Sequence, residues 1–453
     1  MLESTTKQNP ILTGNICGQL MQLFFPIFLG TLFQQLYNTV DTLIVGNYVG
    51  TDALAAVGAT GPFVALLLGF FVGLCSGASI LISQNYGAGD FKSVDCQVHT
   101  ALALSLVGGA VLTVMGLFSS EIVMVWMQTP ADVVPDAALY LRIYFIGMIP
   151  QLIYNTGTGI LRAVGDTKRP LYILIIASLV NIVLDFLLVA IIPMGVAGAA
   201  IATVISQVVS AVCVMFCLVK TKNMPWQLKL SKMKMNPIVL RKIFAIGLPA
   251  AAQASLFNVS NIVIQSCING FGTIVIAAWS VYSKVDLLYW MTLSSMGLAI
   301  TTFAGQNFGA QKFDRVKKGT NICLSITLIG TVIVCAIMYP ASEFLFRLFS
   351  QDAAVIAKGV EMMHLLVPAY VSYVAIEVLS GTLRGCGDVK IPTLITVFVV
   401  CLLRLAWIVF VVPLRHELST VTFSYPLTWT LASLLFLIYY FRGKWLDRCR
   451  SQM

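Results

Sequence analysis

Between Leu171 and Val219 the chain carries one formal charge, Asp185, and between Ile243 and Ser283 it carries none. About 20 mostly apolar residues in a helix cross the hydrocarbon of a bilayer. The first stretch is therefore too long for one crossing, and Pro193 and Gly195 mark a tight turn inside it. Uncharged runs of this length exclude an ordinary soluble fold. The whole chain of 453 residues agrees, being 58% hydrophobic and only 10% charged, where a soluble protein is about 25% charged. A disordered chain would show the opposite bias. With loops, each span takes roughly 35–40 residues, so the expectation is an all-α polytopic membrane protein with about twelve spans. The apolar runs place them at 15–46, 53–83, 97–118, 138–160, 171–191, 196–219, 240–265, 273–303, 320–341, 360–382, 392–413 and 419–441.

Twelve spans put both termini on one side. Of the 28 Lys and Arg residues, 22 fall on that side. Arg142, Arg347, Lys358 and Arg415 fall on the other, and Lys284 and Arg404 lie within spans. Basic loops stay in the cytoplasm, so both termini are expected there, in a multi-pass inner-membrane protein. The same bias accounts for the net charge of +9 without a nucleic-acid partner. The polar start MLESTTKQNP and the long run after it do not fit a cleavable signal.

The chain also repeats itself. QNYGA at 84–88 returns as QNFGA at 306–310, and LRAVGDTKRP at 161–170 returns as LRGCGDVKIP at 383–392, both at an offset of 222. Pro26 and Pro249 form a looser pair. Each half then carries six spans. An even number keeps the halves in one orientation, related by an axis along the membrane normal. The expected divisions are an N-lobe at 1–219, a basic linker at 220–239, a C-lobe at 240–441 and a basic tail at 442–453. Parallel six-helix halves are an architecture of secondary transporters.

Enzyme motifs are missing. The eleven cysteines are scattered, with no CxxC, and read as small hydrophobes. His99, His364 and His416 stand far apart with no metal-ligand spacing. No phosphate-binding loop, dinucleotide fingerprint or nucleophile elbow occurs. The expectation is a protein that is not an enzyme and uses no cofactor.

Pro26, NTVDTLIVG at 38–46, QNYGAGD at 84–90, LRAVGDTKRP and NIVLD at 181–185, with the second-half copies, resemble the multidrug and toxic compound extrusion (MATE) transporters over essentially the full length. The pattern is most similar to the prokaryotic branch with its carboxylates in the N-terminal lobe. The resemblance implies a monomeric antiporter, driven by H+ or Na+, that exports organic cations or amphipathic drugs by alternating access.

Charge at mid-bilayer costs about 2.5–3.5 kcal/mol on insertion scales, so each such residue needs a partner or a function. The spans hold six: Asp41, Asp185, Lys284, Asp286, Glu377 and Arg404. The acidic excess suits cation or proton binding. Tyr37 lies one turn before Asp41 and Asn181 one turn before Asp185, each pair on one helix face. Thr203 follows across the short turn. Two carboxyls at one site titrate as a pair. Asn181, Tyr37 and Thr203 would satisfy its protonated form, while Asp41, Asn181, Asp185 and Thr203 would offer oxygens to Na+. In the family, similarly placed residues form the ion-coupling site. Tyr140, Asn155 and Gln34 match lobe-lining positions, and Pro26 matches a helix kink linked to Asp41 protonation.

The second half has no carboxylate at the position 222 after Asp41, which is Val263. Glu377, Lys284, Asp286 and Arg404 read either as a paired structural network or as a contribution to coupling or substrate binding. The repeated LRxxGDxKxP loops read as capped, structural gating turns. The alternative function is a lipid-linked oligosaccharide flippase. A pyrophosphate headgroup would call for a more basic cavity than Lys284 and Arg404 supply.

Overall fold

The computed structural model describes residues 9–221 and 224–451. Lys7 and Lys222, counted in the charge split above, lie outside the described residues, as do the first eight residues of the expected N-lobe and the last two of the tail. Every regular element among the described residues is helical. A short α1 (Pro10–Thr13) precedes α2 (Ile16–Tyr48), α3 (Thr51–Ala88), α4 (Phe91–Trp126), α5 (Val134–Ile146), α6 (Met148–Ala163), α7 (Lys168–Asp185) and α8 (Gly195–Lys220). Then come α9 (Pro237–Asn269), α10 (Thr273–Val285), α11 (Leu287–Gly309), α12 (Phe313–Met338), α13 (Ser342–Arg347), α14 (Ala353–Leu366) and α15 (Tyr370–Gly385). The last are α16 (Lys390–Ile395), α17 (Leu403–Phe410), α18 (Leu418–Arg442) and α19 (Trp445–Arg450). Ten helical stretches are long and apolar enough to cross a membrane, and two bent pairs bring the total to twelve. The chain is an all-α polytopic membrane protein.

Three runs expected as single spans are broken. The run 138–160 divides at Gly147, where α5 and α6 bend by 51°. The run 360–382 divides before Tyr370, where α14 and α15 bend by 53°. Pro150 and Pro368 sit at these breaks. Proline has no N–H for the preceding turn and crowds its carbonyl, so a helix restarts there instead of running through. The run 273–303 is interrupted at Asp286, between α10 and α11. Hydropathy continues across the first two points, so the apolar pattern alone does not mark them, while Lys284 and Asp286 flank the third. Two spans contain wider π-helical turns, Phe186–Ile191 directly after α7 and Thr396–Leu402 between α16 and α17.

Asp90 caps α4. Its carboxylate accepts from the Ser93 hydroxyl at 2.6 Å and the Ser93 N–H at 3.1 Å, which holds it below the usual carboxylate range.

The contacts divide the chain into two compact units. One is Phe25–Ala251, and the other joins Met1–Phe24 to Ala252–Met453. The divisions fall inside α2 and α9, beside Pro26 and Pro249, and not in the basic 220–239 segment. Close backbone packing explains the second. A Cβ on Gly77 would stand 2.5 Å from the Ile243 carbonyl oxygen, one on Gly73 2.6 Å from Ala251 Cα, and one on Gly247 2.3 Å from the Leu74 carbonyl oxygen. Glycines let the start of α9 lie directly against α3, the packing that lipid-embedded helices favour.

The peptide leading into each repeat is anchored in the same sense. In the C-terminal unit, Asn9 Nδ2 donates to Gln306 Oε1 at 2.8 Å, and Asn307 and Arg315 donate to the Ile11 carbonyl at 3.4 and 3.2 Å. In the N-terminal unit, Trp226 meets the Tyr86 ring edge-on at 5.3 Å, and His99 Nε2 accepts from the Lys229 N–H at 3.0 Å. Gln306, Asn307 and Tyr86 belong to the two copies of the repeated motif. Each copy therefore seats the leading peptide of the other repeat.

Candidate functional site

In the N-terminal unit, Asp41 on α2 and Asp185 at the end of α7 bring their carboxyl groups within interaction range of each other. Asp185 is fully buried and Asn181, one turn earlier, is 1% exposed. The π-helical turn begins at the next residue, Phe186. Such turns recur where a helix must present a functional group out of regular register. Among the described residues no donor reaches either Asp185 oxygen or Asp41 Oδ1, and the Asn181 amide has no partner at either end. Buried polar atoms are nearly always paired, so five unpartnered atoms on three side chains mark a place built for something absent from the chain.

The wall around them is phenolic. Tyr37 lies beside Asp41 and meets the Gln34 side chain. Tyr140, 7% exposed, neighbours both carboxyls, and its ring stacks on Tyr144 at 6.1 Å. Tyr144 in turn meets Gln207 of α8. The absent side chain of Gly147 makes room for that amide, since a Cβ there would stand 2.2 Å from Gln207 Oε1. The bend between α5 and α6 thus belongs to the architecture around the pair.

Of the residues expected at this site, the structure gathers Tyr37, Asp41, Asp185, Tyr140 and Gln34, with Asn181 on the same helix as Asp185. Thr203 donates its hydroxyl to Ala199 on its own helix at 3.0 Å, and Asn155 donates to Gln151 at 3.0 Å. Neither hydroxyl nor amide is turned toward the pair by a bond. Pro26 lies within α2 without ending it. Tyr144 and Gln207 were not singled out from the sequence. Their signal was available, as a tyrosine four residues after Tyr140 and an amide at mid-span in α8.

In the C-terminal unit the paired network, one of the two readings of Glu377, Lys284, Asp286 and Arg404, does not form among the described residues. A cavity of about 580 Å³ is lined by Asp286, Glu377 and Arg404 among aromatic side chains. Among the described residues none of these three makes an ion pair with another, and neither does Lys284. Lys284 is exposed, with its Nζ 5.9 Å from the Phe349 ring. It lies two positions before Asp286, which on a helical turn points it elsewhere. Asp286 accepts from Trp290 Nε1 at 2.8 Å. Arg404 donates to the Thr428 hydroxyl at 2.9 Å and lies over the Tyr425 ring at 4.1 Å. Its charge is met by a hydroxyl and π faces, so no carboxylate needs to approach. Glu377 packs against α11 where Gly297 leaves room, since a Cβ there would stand 2.0 Å from its Oε1.

Comparison with known proteins shows the family. The MatE family model matches residues 26–187 and 249–409. The chain is 31% identical over 449 residues to the probable multidrug resistance protein YoeA of Bacillus subtilis, covering 96% of each chain. It is 24% identical to the probable multidrug resistance protein NorM of Thermotoga maritima, covering 95% of this chain and 93% of that one. A solved MOP superfamily transporter from Pyrococcus furiosus has the same fold, with a TM-score of 0.90 over 98% of this chain and 100% of that one at 24% identity. With a family model spanning both repeats and a full-length relative above 30% identity, the chain belongs to the MatE family of membrane transporters.

Proposed function

We propose that the chain is a cation-coupled antiporter that exports organic cations or amphipathic drugs by alternating access, with Asp41 and Asp185 as its ion-coupling pair. The observation that carries this reading is the pair of facing carboxyls whose buried oxygens have no donor. One proton shared between them, or one sodium ion held by their oxygens and the Asn181 carbonyl oxygen, supplies the missing positive partner. Hard cations take such oxygen ligands. Tyr37 and Tyr140 lie beside the pair. On this reading the chain is of the branch with its carboxylate cluster in the N-terminal lobe. The drug substrates are inferred from its relatives' names, and the monomeric state and the cytoplasmic position of both termini from the family resemblance and the basic loops. Transport by purified protein in proteoliposomes, with proton and sodium gradients imposed separately, tests the reading. Export driven by neither gradient would overturn it.

Coupling requires that the ion bind one state of the transporter better than another. Positive charge arriving at the pair removes negative charge that a cationic substrate uses. Affinity for a fluorescent cation in detergent is therefore expected to fall as pH drops through the titration of the pair, or as sodium is added at fixed pH. An affinity flat in both titrations, in wild type and Asp41→Asn alike, would remove this mechanism.

Glu377→Gln is expected to change the rate or range of substrates while gradient-driven export continues. Loss of coupling with substrate binding intact would place the ion site in the other unit.

A further inference from the structure

The outer face of α4 can be followed from its apolar middle towards its first turns. Val107, Val111, Val114 and Phe118 are all exposed, and bare apolar side chains on a spanning helix face lipid. Residues seven apart on a helix return to within about 20° of one face, so Thr100 continues the line of Val107 and Val114. Yet Thr100 is fully buried. The peptide that joins the two repeats covers it. The Asn236 N–H donates to the Thr100 hydroxyl at 3.3 Å, and that hydroxyl donates to the Lys234 carbonyl oxygen at 3.5 Å. The joining peptide therefore lies on the lipid-facing side of α4. Charge fixes its depth. From Cys96 to Ser120 the helix holds no Asp, Glu, Lys or Arg, about 37 Å at 1.5 Å per residue, enough to fill the hydrocarbon. Asp95 stands just outside that run and Thr100 just inside it, so the peptide sits at the boundary between tails and headgroups.

One side of the peptide fixes it to the protein. Trp226 and Leu228 are buried in one cluster with Val94 and Val98 of α4, and His99 holds the Lys229 N–H. The other side does not serve the packing. Leu230, Met235 and Ile238 are 63%, 42% and 71% exposed, and they are interleaved with Lys229, Lys232 and Lys234, all exposed. Lys232 Nζ lies 3.6 Å from Asp95. Among the described residues no carboxylate pairs with Lys229 or Lys234. The sequence has no acidic residue between Asp185 and Asp286, so the peptide carries positive charge with no acid of its own.

Large apolar side chains beside ammonium groups suit neither water nor hydrocarbon. At a bilayer boundary both are satisfied, because the apolar groups enter the edge of the tails while the lysines reach out to phosphate. Anionic headgroups complement the uncompensated charge. We propose that the joining peptide is a binding surface for anionic phospholipid, with Lys229 and Lys234 at the lipid phosphates and Leu230, Met235 and Ile238 at the tails. The lipid is then held on one side of the peptide and α4 on the other. The surface involves neither the coupling ion nor the drug, so it stands independently of the roles given to Asp41 and Asp185.

The test is equilibrium binding of two fluorescent lipids to purified full-length protein in detergent micelles, read by anisotropy. The probes are phosphatidylglycerol and phosphatidylcholine with the same dye and the same chains, which differ in headgroup charge. Wild type is expected to prefer phosphatidylglycerol about tenfold or more. A lysine near an anionic surface is worth about fivefold in affinity, so Lys229→Gln with Lys234→Gln should remove most of that preference. Both side chains are exposed and unpaired, and folding should be unaffected. Lys317→Gln with Lys318→Gln removes the same charge from exposed positions on α12 and should leave the preference intact. Leu230→Ser with Met235→Ser should weaken both lipids and keep their ratio. Equal affinity of wild type for the two lipids would overturn the proposal and leave the face to an acidic soluble partner. An equal loss of preference in the α12 control would overturn it too, as would displacement of the labelled phosphatidylglycerol by glycerol 3-phosphate at similar concentration. The ratio of the two lipids is read within one preparation, so a poorly folded fraction does not alter it.

Discussion

Replacing Asp41 by Asn is expected to reduce drug export to background while the protein still inserts and purifies normally. Asn has nearly the shape of Asp and lacks only the charge and the site of protonation. Removing a charge from membrane depth does not burden insertion, so a folding defect is not the expected cause of the loss. What disappears is the facing carboxyl pair, and with it the difference in ion affinity on which coupling rests. Asp185→Asn should do nearly the same. The double variant should be hardly worse than either single one, because residues that act as one site are not additive. Efflux from cells or proteoliposomes, normalised to the amount of monodisperse protein, measures all three. Normal efflux by a well-inserted Asp41→Asn protein would sink the assignment.

The second large effect concerns the architecture and not the chemistry. Gly77→Leu should sharply reduce the yield of folded protein. The first atom of the new side chain would stand 2.5 Å from the Ile243 carbonyl oxygen and 2.7 Å from the Gly247 nitrogen, both backbone atoms. Neither can swing aside like the end of a flexible side chain, so α9 must move as a body away from α3. Overpacking a tight interface costs about 1–3 kcal/mol and more where backbone must shift, and the upper end is expected here. Gly58→Leu on the same helix is the control. A Cβ at Gly58 meets nothing within 4 Å, so stability should hold or rise slightly, as glycine is a poor helix former. Size-exclusion profiles after stepwise heating in detergent compare the two. Equal profiles would show that the α3–α9 contact is not what holds α9 in the N-terminal unit.

Most of the architecture was legible in the chain. Burial in lipid demands long uncharged runs, so the spans stand out, and a duplicated six-helix unit leaves its trace in QN[YF]GA and LRxxGDxKxP. Asp41 and Asp185 were legible for a related reason. A carboxylate at membrane depth is costly enough that its presence there is informative by itself. The tyrosines were only half legible. Tyr37 and Tyr140 were named, but Tyr144 and Gln207 were not, because a tyrosine or an amide is tolerated in many spans and becomes part of a site only through its neighbours.

The second half shows where a reading of the chain stopped. Four charged residues, Lys284, Asp286, Glu377 and Arg404, balance on paper, and ion pairing is the economical expectation. Which groups meet depends on the rotation of α10, α11, α15 and α17 about their axes, and a helix turn of 100° separates neighbours in sequence. The folded chain exposes Lys284 beside Phe349 and seats Arg404 on Tyr425 and Thr428. A cavity opens between the remaining charges.

The sequence by itself determined that this chain spans a membrane about twelve times, that it is two copies of one six-helix plan, and which carboxylates lie at membrane depth. Each follows from local hydropathy or from direct repetition, which need no knowledge of neighbours. Only the tertiary structure decided that three spans break, that the first helix of each repeat divides beside its proline, and that Arg404 stands apart from the carboxylates around the same cavity. Those outcomes depend on close approach between residues far apart in the chain. Backbone contact at Gly77 and Gly247, and the meeting of a guanidinium with a ring face, are set by packing and leave no periodic mark in the order of residues.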